Sequence, residues 1–125
     1  METEKKILLV EDDIFLREIY LDILKKEGYE VDFAINGREG LEKIKKGNWD
    51  LILLDITLPD ISGLDVARQS KTFPSSSSNK SIVFLSNSDN DLEVEKAKKI
   101  GNGYLVKSNF TPDDLVRNIR RYLAS

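Results

Sequence analysis

Three apolar runs, Ile7-Leu8-Leu9-Val10, Leu51-Ile52-Leu53-Leu54 and Ile82-Val83-Phe84-Leu85, contain no polar residue, and Tyr104-Leu105-Val106 is a shorter fourth. A strand with one wet face alternates apolar and polar side chains, whereas an uninterrupted run needs cover on both faces. Helical patterns lie between the runs. Phe15, Ile19, Leu21, Ile23 and Leu24 mark a first helix that closes at Lys26-Glu27-Gly28, with Gly28 as its C-terminal cap. Val31 to Ile35 reads as a strand and Asn36-Gly37 as a turn, and a helix carrying Leu41 and Ile44 then runs to Gly47. Asp55 closes the next strand, and a short helix from Leu64 to about Lys71 follows Pro59 and Gly63. Asp91 to Ile100 forms another helix, and Thr111-Pro112 supplies the N-cap and first position of the last, which ends at Leu123. Five strands alternating with five helices predict a doubly wound α/β domain, with a parallel sheet in the flavodoxin-like order 2-1-3-4-5.

At 125 residues the chain suits one domain, 1–125, with a core of about 5–123. The low-complexity stretch TFPSSSSNKS lies inside the alternation, so it reads as a surface loop rather than an interdomain linker. The first apolar run is four residues long, too short for a signal peptide or a membrane span. The expectation is a cytoplasmic protein with no membrane partner.

Two absences restrict the chemistry. With Cys 0, disulfides, thiolate catalysis and zinc–thiolate or iron–sulfur sites are excluded. With His 0, the commonest general base and transition-metal ligand are missing as well. Carboxylates, hydroxyls, lysine and hard cations remain. A formal charge of −3 argues against nucleic-acid binding by this domain alone.

In open α/β sheets ligands bind at the carboxyl ends of the strands, beside the topological switch point. The first strand ends at Glu11-Asp12-Asp13, the third at Asp55, the fourth at Ser86 and the fifth at Lys107. Acids at strand ends can simply cap the helices that follow, and Asp13 is placed to do so. Three carboxylates in one crevice, Glu11, Asp12 and Asp55, repel one another unless they are protonated or share a cation. Oxygen-only ligation favours a hard ion such as magnesium. Lys107 is either a solvated strand-end lysine or the partner of Asp55 or of a phosphoryl oxygen. Ser86 either ends its strand or donates to an anionic oxygen. A flavin or dinucleotide binder needs a phosphate loop after the first strand, where this chain has three acids, and no Walker-type loop is present.

The segments ILLVEDD, LILLDITLPDISGLD, IVFLSNS and GNGYLVKS, in this order, resemble the receiver domain of two-component response regulators, over Lys5 to Leu123. The resemblance implies that Asp55 is the nucleophile accepting a phosphoryl group from a histidine kinase or a histidine phosphotransfer protein. It implies Mg2+, or Mn2+, held by Glu11, Asp12, Asp55 and the backbone carbonyl of Thr57. Ser86 matches the hydroxyl that moves to the phosphoryl oxygen, Lys107 the lysine that pairs with it, and Tyr104 the aromatic switch. The implied output is a surface made by the last two helices and the fifth strand, on a monomer or weak phosphorylation-dependent dimer. Such a domain promotes its own phosphorylation and dephosphorylation and is not a turnover enzyme on external substrates. Its runner-up is a degenerate receiver that binds protein without phosphorylation.

Four features depart from the family pattern. Ser108 stands where proline usually follows the lysine, and Asn87 where a small residue usually follows the switch hydroxyl. Asn102-Gly103 replaces an acidic pair that serves dimerisation in DNA-binding relatives, and the serine-rich loop is long. Arg117, Arg120 and Arg121 offer either an acidic-partner surface or, more simply, a solvated helix face.

Overall fold

The computed structural model describes residues 4–74, 79–87, 91–107 and 111–124. Its strands are β1 (Lys6–Val10), β2 (Glu30–Ala34), β3 (Leu51–Asp55), β4 (Ile82–Ser86) and β5 (Gly103–Val106). They alternate with α1 (Ile14–Lys26), α2 (Gly37–Lys46), α3 (Gly63–Ser70), α4 (Asp91–Ile100) and α5 (Pro112–Ala124). All pairings are parallel, in the order β2-β1-β3-β4-β5. The expected doubly wound sheet is what the chain forms. Among the described residues no helix is long and apolar enough to cross a membrane.

The uninterrupted runs are buried on both faces because successive side chains point to opposite sides of the sheet. Ile7, Leu9, Leu51, Leu53, Val83, Leu85 and Leu105 pack with Tyr20, Leu21, Leu24, Leu115 and Ile119 from α1 and α5. Leu8, Val10, Ile52, Leu54 and Phe84 pack on the other side with Ile44, Val66, Ala67 and Ala97 from α2, α3 and α4. This division decides, below, which strand-end residues can meet.

Capping follows the local chemistry. The Asp13 carboxylate accepts from the N–H groups of Phe15 and Leu16, the capping role its position suggested. After α1, Gly28 adopts φ +87°, as a residue just past a helix end commonly does. At the start of α5, Thr111 Oγ1 accepts from the Asp114 N–H (3.2 Å), and the Asp114 carboxylate accepts from the Thr111 N–H (3.0 Å). That reciprocal pair is a capping box with aspartate in the acidic position.

The edge strand β2 lies one residue earlier than the pattern Val31 to Ile35 indicates. Its register against β1 pairs Lys6 with Glu30 and Val10 with Ala34, so β1 runs out before Ile35 is reached. Glu30, Asp32 and Phe33 are exposed, as an edge allows. The departure at Asn102-Gly103 also has a structural basis. Asn102 bonds Ile82 twice, its N–H to the carbonyl (2.7 Å) and its Oδ1 from the N–H (2.9 Å). A Cβ on Gly103 would lie 2.2 Å from Tyr122 Oη. The centre of the TFPSSSSNKS stretch lies outside the described residues, and so does Ser108.

Candidate functional site

Strand alternation sorts the polar strand ends into two groups. Glu11 follows Leu9 by two positions, Asp55 follows Leu53 and Lys107 follows Leu105, so all three share the side facing α1 and α5. Ser86 and Tyr104 have the parity of Phe84 and belong to the side facing α4. The order β2-β1-β3 puts the topological switch point between β1 and β3, where Glu11 and Asp55 end neighbouring strands.

The first group closes into a charged cluster. Lys107 Nζ donates to Asp55 Oδ2 (2.9 Å) and to Glu11 Oε1 (2.5 Å). These side chains are nearly inaccessible, at 6% exposure for Lys107, 3% for Asp55 and 0% for Glu11. The Thr57 N–H donates to Asp55 Oδ1 (3.1 Å), and the Asp13 N–H lies 3.4 Å from Glu11 Oε2. One oxygen each from Glu11, Asp12 and Asp55 falls within 4.8 Å of the others, with Asp12 at the exposed rim. The expected pairing of Lys107 with Asp55 is present. Its simultaneous bond to Glu11 is additional, and it arises because the buried Glu11 carboxylate needs a donor.

Two further residues shape the pocket. Arg17 is buried on α1 and donates through Nη1 to the carbonyls of Glu11 (3.0 Å) and Asp12 (3.4 Å). It sits four residues past the Asp13 cap, on the inward helix face, a spacing that could have singled it out. Gly63 opens α3 with its N–H bonded to the Ile56 carbonyl (2.7 Å), and a Cβ there would lie 2.1 Å from the Asp55 carbonyl oxygen. The motif glycine is therefore a packing requirement of the loop that carries Asp55.

On the other side of the sheet, Ser86 is buried and its Oγ donates to Glu93 Oε1 on α4 (3.0 Å). Tyr104 is half-buried against the core under α4. Asn87 is exposed at the end of β4. The arginines of α5 are also exposed, and their contacts are internal: Arg117 with Asp114 (3.0 Å), Arg120 with Glu27 (2.7 Å) and Arg121 with Asn118 (2.7 Å).

One lysine against two buried carboxylates leaves an excess negative charge. Burial, and then Asp55, push the Glu11 carboxyl up to about 7, although Lys107 pulls the other way. Asp12 is also raised, first by burial and then by Glu11. Lys107 is raised, because its two carboxylate partners outweigh the burial that alone would lower it. The donor set is all oxygen, anionic and convergent, so it fits a hard divalent cation.

A pH dependence follows. Between the ordinary glutamate value of 4.5 and about 7, the folded chain holds a proton on Glu11 that the unfolded chain releases. Stability should therefore fall as pH rises through that window. The full penalty, on the order of 3 kcal/mol, is present above it. Thermal unfolding of the wild type and Glu11→Gln is expected to show this slope in the wild type and a flatter one in the variant. Added magnesium should raise the wild-type midpoint more near pH 8 than near pH 5, roughly in proportion to the ionised carboxylate present. Equal rises at both pH values would separate the cation from Glu11.

A doubly wound α/β domain with such a cluster at its switch point has its convergent acidic groups where open α/β sheets bind their ligands. The family model described as "Response regulator receiver domain" matches residues 7–120, and the chain belongs to that family. It is 34% identical over 119 residues to the chemotaxis protein CheY of Thermotoga maritima, covering 94% of this chain and 96% of that protein. It is 31% identical over 120 residues to the transcriptional regulatory protein CrdR of Helicobacter pylori, covering 95% of this chain and 55% of that protein. The receiver domain of the sensor histidine kinase PA1611 from Pseudomonas aeruginosa, solved with magnesium in its active-site cleft, superposes with a TM-score of 0.86. That pair is 26% identical, with 98% of this chain and 100% of the other covered. The chain spans about half the length of several of the curated relatives it matches. It is a response-regulator receiver, a phosphoacceptor signalling domain.

Proposed function

We propose that Asp55 is the residue that takes the phosphoryl group, delivered from a phosphohistidine on a histidine kinase or phosphotransfer protein, and that residues 5–123 act as one receiver unit. The observation that carries this reading is Lys107 Nζ reaching both Asp55 and Glu11 inside a three-carboxylate pocket. An Asp55 oxygen attacks phosphorus in line with the phosphorus–nitrogen bond. That bond breaks, its electron pair stays on the imidazole nitrogen, and an oxygen–phosphorus bond forms on Asp55.

Little covalent chemistry falls to the protein beyond the nucleophile, so positioning and charge neutralisation dominate. The Thr57 N–H orients one Asp55 oxygen while Lys107 holds the other. Lys107 is placed to neutralise a transferred oxygen once it releases Asp55. Glu11, Asp12, Asp55 and the Thr57 carbonyl would hold magnesium, which supplies positive charge to the phosphoryl oxygens. Modification takes Asp55 from one negative charge to roughly two and adds acceptor oxygens, which Ser86 and Lys107 can meet. Ser86 and Tyr104 then bias the surface formed by α4, β5 and α5. The domain promotes phosphorylation and hydrolysis at its own aspartate and turns over no external substrate.

The test is intact mass after incubation with acetyl phosphate, with and without magnesium, for the wild type and Asp55→Asn. One magnesium-dependent phosphoryl adduct is expected in the wild type and none in the variant. Folded wild-type protein without an adduct, under conditions that modify a control receiver, would sink the assignment.

A further inference from the structure

Glu93 lies outside the charged pocket, on the first turns of α4, and has no part in the chemistry described above. It accepts the Ser86 hydroxyl at 3.0 Å, while Ser86 itself is only 3% exposed. Glu93 is half-buried, and Ala97, one turn further along the same helix face, is fully buried against the sheet. The carboxylate is thus on the inward side of α4, facing the end of β4. A serine hydroxyl has a single proton to donate, and in this state the proton is given to α4. A bond to a carboxylate is also stronger than one between neutral groups.

We infer that Glu93 is a positioning residue for the Ser86 hydroxyl, holding it on α4 until a phosphoryl group on Asp55 competes for the same proton. This inference rests on the reading of Asp55 as the phosphoacceptor. The two acceptors lie on opposite sides, since Asp55 shares the parity of Leu53 and faces α1 and α5, whereas Ser86 shares that of Phe84. One hydroxyl cannot donate to both. When Ser86 turns to the phosphoryl oxygens, Glu93 loses that donor and one bond between α4 and the end of β4 is given up. Glu93 therefore favours the resting arrangement, and its removal shifts the balance toward the phosphorylated one.

Beryllofluoride with magnesium forms a phosphoryl-like adduct on a reactive aspartate, and the fluorine NMR signal of the adduct gives its binding midpoint. Glu93→Ala is expected to bind beryllofluoride about 10–100-fold more tightly than the wild type, the range of one hydrogen bond to a charged group. Glu93→Gln keeps a neutral acceptor oxygen and should fall between the two. Ser86→Ala should bind more weakly than the wild type, and adding Glu93→Ala to Ser86→Ala should change nothing further. A gain that persists without the Ser86 hydroxyl, or no gain in either Glu93 variant, overturns the inference. If Glu93→Ala fails to fold, Glu93→Gln decides by the same criteria. Absence of any beryllofluoride adduct on the wild type overturns the phosphoacceptor reading itself, and this inference with it.

Discussion

Replacing Gly63 with alanine is expected to cost about 3 kcal/mol or more and to reduce adduct formation on Asp55 at least tenfold. The added Cβ would sit 2.1 Å from the Asp55 carbonyl oxygen and 2.9 Å from both the Asp55 carbonyl carbon and Ile56 Cα. All three are backbone atoms, so no side chain can rotate aside and the clash is relieved only by moving the loop or α3. The loop is held by the Gly63 N–H to the Ile56 carbonyl, and by the Asp60 carboxylate, which accepts from the Gly37 and Arg38 N–H groups at the start of α2. A shift at Gly63 therefore displaces Asp55 relative to Lys107. Urea unfolding and the acetyl phosphate assay measure the two effects. A stable Gly63→Ala protein with normal labelling would show that the corner relaxes freely, contrary to the packing described.

Lys107→Met should be the second large effect. Methionine retains an unbranched apolar side chain but removes the charge that serves two buried carboxylates. Breaking a buried pair by deleting one member strands the other, a loss larger than the pair's own contribution. Near pH 8 without magnesium the expected cost is roughly 2–4 kcal/mol. Near pH 5 it should shrink, since Glu11, with its carboxyl pushed up to about 7, is protonated there. Adduct formation should fall by at least an order of magnitude at either pH, because magnesium alone then offsets the charge of the transferred oxygens. A cost independent of pH would mean that Glu11 does not share the lysine with Asp55.

The fold was legible because the apolar runs are short, uninterrupted and regularly spaced, a pattern that demands cover on both faces. The sheet order followed, and so did the gathering of Glu11, Asp12, Asp55 and Lys107 at one edge. The exact limits of β2 were not legible, since an edge strand carrying Glu30 and Asp32 has no continuous apolar run and takes its limits from pairing with β1. The sharing of Lys107 between Glu11 and Asp55 could not be read from spacing, because it depends on burial that only the assembled sheet creates. For Arg17 the only signal is its place four residues past Asp13, because its bonds are to the backbone carbonyls of Glu11 and Asp12 rather than to a side chain. Glu93 gave no signal, since its partner depends on which side of β4 the Ser86 hydroxyl leaves.

The bond between Lys107 and Glu11 joins residues 96 positions apart, nearly the two ends of the chain. A ribosome emits Glu11 and Asp55 long before the lysine that offsets them. Until β5 is made and docked beside β4, a nascent chain would hold two carboxylates without the ammonium that bridges them, a state that opposes collapse at the switch point. Chemical competence is therefore among the last properties the domain acquires during synthesis. A prematurely terminated product lacking β5 would present neither a finished sheet edge nor a centre able to intercept phosphoryl groups meant for intact molecules.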